Sequence, residues 1–146
     1  MLHARRHAAG ADVSTFTLHL RDALQYERID HVESFVGRDE SGSFGILAGH
    51  ARMMTALTFG LARYRPAGAD WQYVALPGGL LYFVDNELTV SARRYLRGAE
   101  FGRMAEALER QLLVEEEGLR TLKESLRRIE EALFRHLWRM KRVAAP

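Results

Sequence analysis

The chain has 146 residues, 47% of them apolar, with 21 basic and 19 acidic side chains for a net charge of +2. That is enough chain to bury one core and too much apolar side chain for global disorder. The lack of cysteine excludes disulfides, thiolate zinc sites and thiol nucleophiles together, and charges of both signs interleave, unlike a nucleic-acid face.

Residues 1–14, MLHARRHAAGADVS, carry Arg5 and Arg6 with no apolar stretch behind them, so they are not a secretory signal. They read as a mobile leader. From Thr15 to about Ala92 the pattern has period two: Phe16, Leu18 and Leu20 alternate with Thr17 and His19, Tyr73 and Ala75 with Val74 and Leu76, Leu88 and Val90 with Thr89. That is the pattern of half-buried strands. Turn residues punctuate the runs at Pro66–Gly68, Pro77–Gly79 and Asp85–Asn86, which predicts an antiparallel sandwich or barrel over residues 15–98. No apolar run reaches the roughly 18 residues that a membrane-spanning helix needs.

Within this half lies GSFGILAGHARMMTAL, Gly42 to Leu57. Phe44, Ile46 and Leu47 predict a short strand. Gly49 and His50 then break it before Met53, Met54 and Leu57 return to the core. Gly42, Gly45 and Gly49 mark places where the backbone turns or meets another chain closely. One reading is a β-bulge and corner, with the His50 ring bonded to nearby backbone; the other is a functional surface.

From about Glu100 to Arg142 the period changes. Phe101, Met104, Leu108, Leu112, Leu119, Leu122, Leu126, Ile129, Leu133, Leu137 and Met140 recur at gaps mostly of three and four, the stripe of an amphipathic helix. Glu106–Arg110, Glu116–Arg120, Glu124–Arg128 and Glu131–Arg135 are i,i+4 pairs, each contributing ~0.2–0.5 kcal/mol. One helix of that span would be roughly 60 Å long, more than a small sandwich covers. Residues 99–146 therefore form either a hairpin hinged at Gly118 or a long helix whose stripe needs a partner. In the hairpin, Leu108 and Leu112 would face Leu126, Ile129 or Leu133.

Catalytic and cofactor patterns are missing. The histidines at 3, 7, 19, 31, 50 and 136 have no metal-ligand spacing. The glycines form neither a dinucleotide fingerprint nor a Walker loop. No nucleophile stands beside a base. The expectation is a non-catalytic chain with no cofactor. The tail arginines Arg127, Arg128 and Arg135 alternate with Glu124, Glu130 and Glu131, which suits a solvated helix face better than a nucleic-acid helix.

The glycine-rich stretch resembles the pattern of the epsilon subunit of F-type ATP synthase, approximately G-x-[FL]-G-[IV]-L-P-G-H-A-P-L-x-T-x-L-x-x-G. Gly42, Phe44, Gly45, Ile46, Leu47, Gly49, His50, Ala51, Thr55, Leu57 and Gly60 fit it. A second block, YVALPGGLLYFVDNELTVSA, is similar to that family's V-x-G-G-F-x-x-V-x-x-N-x-V-T-V-L-A through Val74, Gly78, Gly79, Val84, Asn86, Thr89, Val90 and Ala92. The likeness runs over about residues 15–142. Ala48 and Arg52 replace two usual prolines. Ser43 stands where many relatives carry an acid facing the c ring, with Asp39 and Glu40 supplying charge a few residues earlier. EFGRMAEA occupies the place of the [IL]-D-x-x-R-A segment tied to ATP binding in some relatives. These departures resemble the divergent epsilon of a second-operon (N-type) synthase.

The resemblance implies a β-sandwich of about ten strands followed by C-terminal helices. It implies a central-stalk subunit joining gamma to the c ring, with the helices meeting the alpha/beta hexamer and restraining ATP hydrolysis. Asp39, Glu40, Ser43, Phe44, Gly45 and His50 would contact the c ring or gamma. Leu108, Leu112, Gly118, Arg127, Arg128 and Arg135 would carry regulation. The location implied is peripheral, on the cytoplasmic face of the bacterial inner membrane, held there by the complex alone. The competing readings are a sandwich-plus-helix adaptor unrelated to a rotary motor, and a small enzyme or nucleotide sensor.

Overall fold

The computed structural model describes residues 15–144; the leader expected over residues 1–14 lies outside them. Nine strands occupy the first part: β1 (Phe16–Arg21), β2 (Tyr26–Asp39), β3 (Gly42–Leu47), β4 (Met53–Leu57), β5 (Gly60–Pro66), β6 (Gln72–Leu76), β7 (Gly79–Val84), β8 (Glu87–Ser91) and β9 (Leu96–Gly98). The resemblance implied about ten. Their order is β4-β7-β8-β1-β2-β5-β6-β9, with β3 on β2. All pairs are antiparallel except β1 with β8, which run parallel from Thr17↔Glu87 to Arg21↔Ser91.

β2 serves both layers. Residues 26–32 pair with β1, and residues 32–39 pair with β5 and β3. The register slips between Val32 and Ser34, beside His31, whose φ is +56°. This is where the strand bends from one layer into the other. The expected turns form as the sequence predicts: Gly68 has φ +71°, and Asp85 and Asn86 have φ +51° and +58°, the two positive values of a type I′ hairpin turn.

The core lies between the layers. Phe16, Leu18 and Leu20 of β1 are buried, as are Phe35, Ile46, Tyr64, Leu81, Phe83, Leu88 and Val90. In β4 the alternation buries Leu57 and leaves Met54 64% exposed, so Met54 does not return to the core as the sequence suggested. β6 departs from simple alternation: Val74, Ala75 and Leu76 are all buried. Val74 and Leu76 face the sandwich core. Ala75 lies in a second cluster with Met104 and Leu112, lined by Leu61, Tyr73, Leu96 and Leu108.

That second cluster is built by α1 (Phe101–Ala107) and the π-helical segment Leu108–Leu113. Met104, Leu108 and Leu112 are spaced by four. On an α-helix such a spacing drifts about 40° per step. The wider π-helical turn offsets the drift and keeps Leu112 on the sheet side. Gly98 makes the approach possible, since a Cβ there would lie 2.7 Å from Met104 Sδ. The first compact unit runs to Leu112, and the second is Leu113–Pro146. In the compact state expected from sequence, Leu108 and Leu112 turned toward Leu126, Ile129 or Leu133. Here their packing is instead on β6.

The second unit contains α2 (Val114–Ala144), about 46 Å long at ~1.5 Å per residue. Gly118 lies inside this helix and not at a turn, so no hairpin is hinged there. Leu122, Leu126, Ile129, Leu133, Phe134, Leu137, Trp138 and Met140 are all at least half exposed. No helix among the described residues is long and apolar enough to cross a membrane.

Candidate functional site

β3 and the turns at its two ends hold the candidate contact residues. At one end, Asp39 and Gly42 close the β2–β3 hairpin. Asp39 Oδ1 accepts a hydrogen bond from the Ser41 amide (2.9 Å) and another from its hydroxyl, and Oδ2 accepts from Thr55 Oγ1 (2.7 Å). Those bonds, from Ser41 first and Thr55 second, hold the Asp39 carboxyl below the usual carboxylate range. Glu40 is exposed at the hairpin tip. The β4–β5 corner lies beside it, with the Thr58 amide donating to the Arg38 carbonyl at 3.0 Å.

Along β3 the side chains alternate. Phe44 and Ile46 turn to the core, while Ser43, Gly45 and Leu47 lie exposed on the outer face. Gly45 is therefore a strand residue and makes no turn. A Cβ on it would meet nothing nearer than the Phe35 carbonyl oxygen at 3.8 Å. The turn falls at Gly49, whose φ is +79°, a conformation that only glycine adopts without strain.

At the far end the Ala48–His50 turn meets the β7–β8 turn. The Gly49 amide donates to Asn86 Oδ1 at 2.6 Å, and the Asn86 carbonyl accepts from the Thr17 amide at 3.0 Å. The His50 amide donates to the Leu47 carbonyl at 3.1 Å. The His50 ring is exposed. Its Nδ1 is bonded to the Ala51 carbonyl at 2.7 Å, and the ring stands edge-on to Phe83, 5.9 Å between centroids. This is the corner histidine of the sequence reading, with the ring also open to a partner.

The candidate residues thus do not form one patch. Asp39 and Glu40 sit at one end of β3 and His50 at the other, about 20 Å apart for six residues at ~3.4 Å each. Of the tail residues, Leu112 is buried and Leu108 is partly buried, while Arg127, Arg128 and Arg135 are exposed on α2. The Glu106–Arg110 pair forms at 2.9 Å.

Two constellations escaped the sequence reading. Asn86 was visible as a turn residue, but its bond to Gly49 joins positions 37 residues apart. A second cluster ties β9 to β2 and β5. Arg97 Nε and Nη2 donate to Glu27 Oε2 at 3.0 and 2.7 Å, and Nη1 donates to the Tyr64 hydroxyl at 3.1 Å. The Tyr95 hydroxyl donates to Glu27 Oε1 at 2.8 Å. Burial pushes the Glu27 carboxyl up, but its bonds from Arg97 and Tyr95 outweigh this and hold it below its ordinary range. Neither cluster contains a nucleophile beside a base. Among the described residues no group of three or more His, Asp or Glu side chains is placed to hold a metal ion.

Comparison with known proteins supplies the family. The chain is 44% identical over 73 residues to the ATP synthase epsilon chain of Prochloron didemni, covering 50% of each. It is 30% identical over 107 residues to the ATP synthase epsilon chain 2 of Cereibacter sphaeroides, covering 73% of each. The match thus spans about half the length of the Prochloron relative and nearly three quarters of the Cereibacter one. A chain in the solved Euglena gracilis mitochondrial ATP synthase, comprising OSCP, F1 and c-ring, shares the fold. Its TM-score is 0.54 at 20% identity, over 66% of this chain and 62% of that one. The model of the ATP synthase delta/epsilon chain β-sandwich domain matches residues 17–98, the whole of the nine-stranded unit but its first residue, and the chain belongs to that family.

Proposed function

We propose that this chain is the central-stalk subunit of a rotary F-type ATP synthase, joining gamma to the c ring so that rotation and ion flow are coupled. The observation that carries this reading is the match of the family's sandwich model to residues 17–98. The sandwich offers two separate ends for two partners. The Asp39–Ser43 hairpin takes the c ring, and the turn at His50 lies near gamma. The chain itself catalyses nothing; its role is mechanical and regulatory. It sits at the cytoplasmic face of the bacterial inner membrane, held there by the complex.

The tail acts as a brake on ATP hydrolysis. Support comes from α2, whose apolar side chains are exposed along its length. Burying them against gamma and the alpha/beta hexamer would contribute roughly 25 cal/mol per Å², while its exposed arginines contribute ~0–1 kcal/mol per ion pair. The likeness to an epsilon chain numbered 2 and the replacements at Ala48 and Arg52 accord with a second-operon synthase. No observation favours the adaptor reading. The test is reconstitution. Membranes stripped of this subunit should lose coupled ATP synthesis and regain it when the purified chain and the cognate gamma are added back. Coupling restored equally well without the chain would reject the assignment.

A further inference from the structure

The exposed stripe of α2 keeps a strict period. Leu119, Leu126 and Leu133 recur every seventh residue, and Leu122, Ile129 and His136 follow three places behind them. These are the a and d positions of a heptad repeat. A seven-residue period makes a helix wind left-handed about a second helix and seat its seam there. All of these residues are exposed on α2.

The flanks of the seam decide which second helix fits. With Leu119 at position a, Lys123 and Glu130 occupy e on one flank, and Gly118, Ser125 and Ala132 occupy g on the other. In a parallel pair of copies e faces g. Lys123 would then meet Gly118 and Glu130 would meet Ser125, so the charges gain nothing, and His136 would stand against His136. In an antiparallel pair e faces e and g faces g. One register sets Leu126 on Ile129, Leu122 on Leu133 and Leu119 on His136 of the second copy. That register also places Lys123 against Glu130 twice, because the two-fold repeats every contact. On the other flank Ser125 passes Ala132, and both are small enough for the helices to approach closely. Sliding by one heptad brings Glu130 against Glu130 in one direction and Lys123 against Lys123 in the other, like charges that oppose pairing.

We propose that α2 is a self-complementary docking surface whose occupant is α2 of a second copy of this chain. The two pack as an antiparallel coiled coil in the register that joins Lys123 to Glu130. The pairing does not rest on the central-stalk reading, but its consequence does. A paired seam is closed to gamma and to the hexamer, so the pair must part before the tail can act as a brake.

The test is sedimentation of the full chain alone, in low salt, over concentrations from about 1 to 500 μM. The mass should rise from 16.7 kDa toward twice that value. Glu130→Lys turns both ion pairs into like-charge pairs and should raise the dissociation constant roughly tenfold. Lys123→Glu should do the same, and the double variant Lys123→Glu/Glu130→Lys should restore the parent value. Mixed together, the two single variants should pair with each other in preference to themselves. The chain has no cysteine, so Ser125→Cys/Ala132→Cys reports the orientation: mild oxidation should link position 125 of one copy to 132 of the other. A monomer throughout the range overturns the inference, as does a dimer indifferent to both charge reversals, or one that links position 125 only to itself. A monomeric chain that restores coupled synthesis would leave the stripe to other partners and spare the central-stalk reading. A chain that pairs as expected yet restores no coupling would do the reverse.

Discussion

Ending the chain after Gly98 and ending it after Leu112 should give two differently stable sandwiches. The shorter chain loses Met104 and Leu112, which are 6% and 1% exposed, and uncovers Ala75, Leu61, Tyr73 and Leu96 on β6 and its neighbours. Burial of each side chain of that size contributes ~1.5–3 kcal/mol, so the loss is roughly 3–6 kcal/mol for the pair. In a domain of about 100 residues each kcal/mol moves the melting temperature by ~4–8 °C. The shorter chain should therefore melt at least about 12 °C below the longer one. Circular dichroism melts of the two purified chains measure this directly, and Leu112→Ala in the full chain should reproduce part of it, at ~2–5 kcal/mol. Midpoints of the two chains within about 3 °C of each other would mean that α1 contributes well under 1 kcal/mol to the sandwich. The packing argument would then fail.

Three further outcomes are expected. A chain ended after Leu112 keeps the whole sandwich unit but lacks α2, so the enzyme assembled with it should hydrolyse ATP faster than the parent; equal rates at low and high ATP would defeat the brake. Gly49→Val forces a β-branched residue to φ +79° and should cost ~1–3 kcal/mol in urea unfolding, whereas Gly45→Ala should change stability by less than ~0.5 kcal/mol; the opposite order would contradict the backbone geometry. The Glu27 carboxyl is held below its ordinary range in the fold, so its stabilising contribution is present above about pH 4.3 and is lost as pH falls through the folded value. Glu27→Gln should lower stability at pH 7 and flatten the acid limb of the stability curve; an unchanged acid limb would show that the Arg97–Tyr95 cluster does not act through this carboxyl.

The strands were legible because one-sided burial imposes period two, and Phe16, Leu18 and Leu20 obey it. The hairpin turns were legible because Gly68, Asp85 and Asn86 are residue types that accept positive φ. β6 was misjudged at Ala75, since alternation assumes solvent on one face and here α1 covers that face. The packing of Met104 and Leu112 on β6 was hidden for the same reason: a change of period marks a change of secondary structure and says nothing of what packs across it. Gly45 and Gly49 look equivalent in sequence, yet only Gly49 has a left-handed backbone. The Asn86–Gly49 bond and the Glu27–Arg97 pair join residues with no local pattern between them, so only the fold could bring them forward.

The parallel pairing of β1 with β8 sets a timetable for biosynthesis. Thr17 cannot find Glu87 until 87 − 17 = 70 further residues have been made, which takes about 4–14 s at the usual ~5–20 residues per second. Until then Phe16, Leu18 and Leu20, all destined for the core, have only the β2 hairpin for shelter. The nascent chain carries its first strand half-dressed through most of its synthesis. Holdase binding should therefore map to residues 16–20 on stalled chains shorter than about 90 residues and vanish once β8 has emerged.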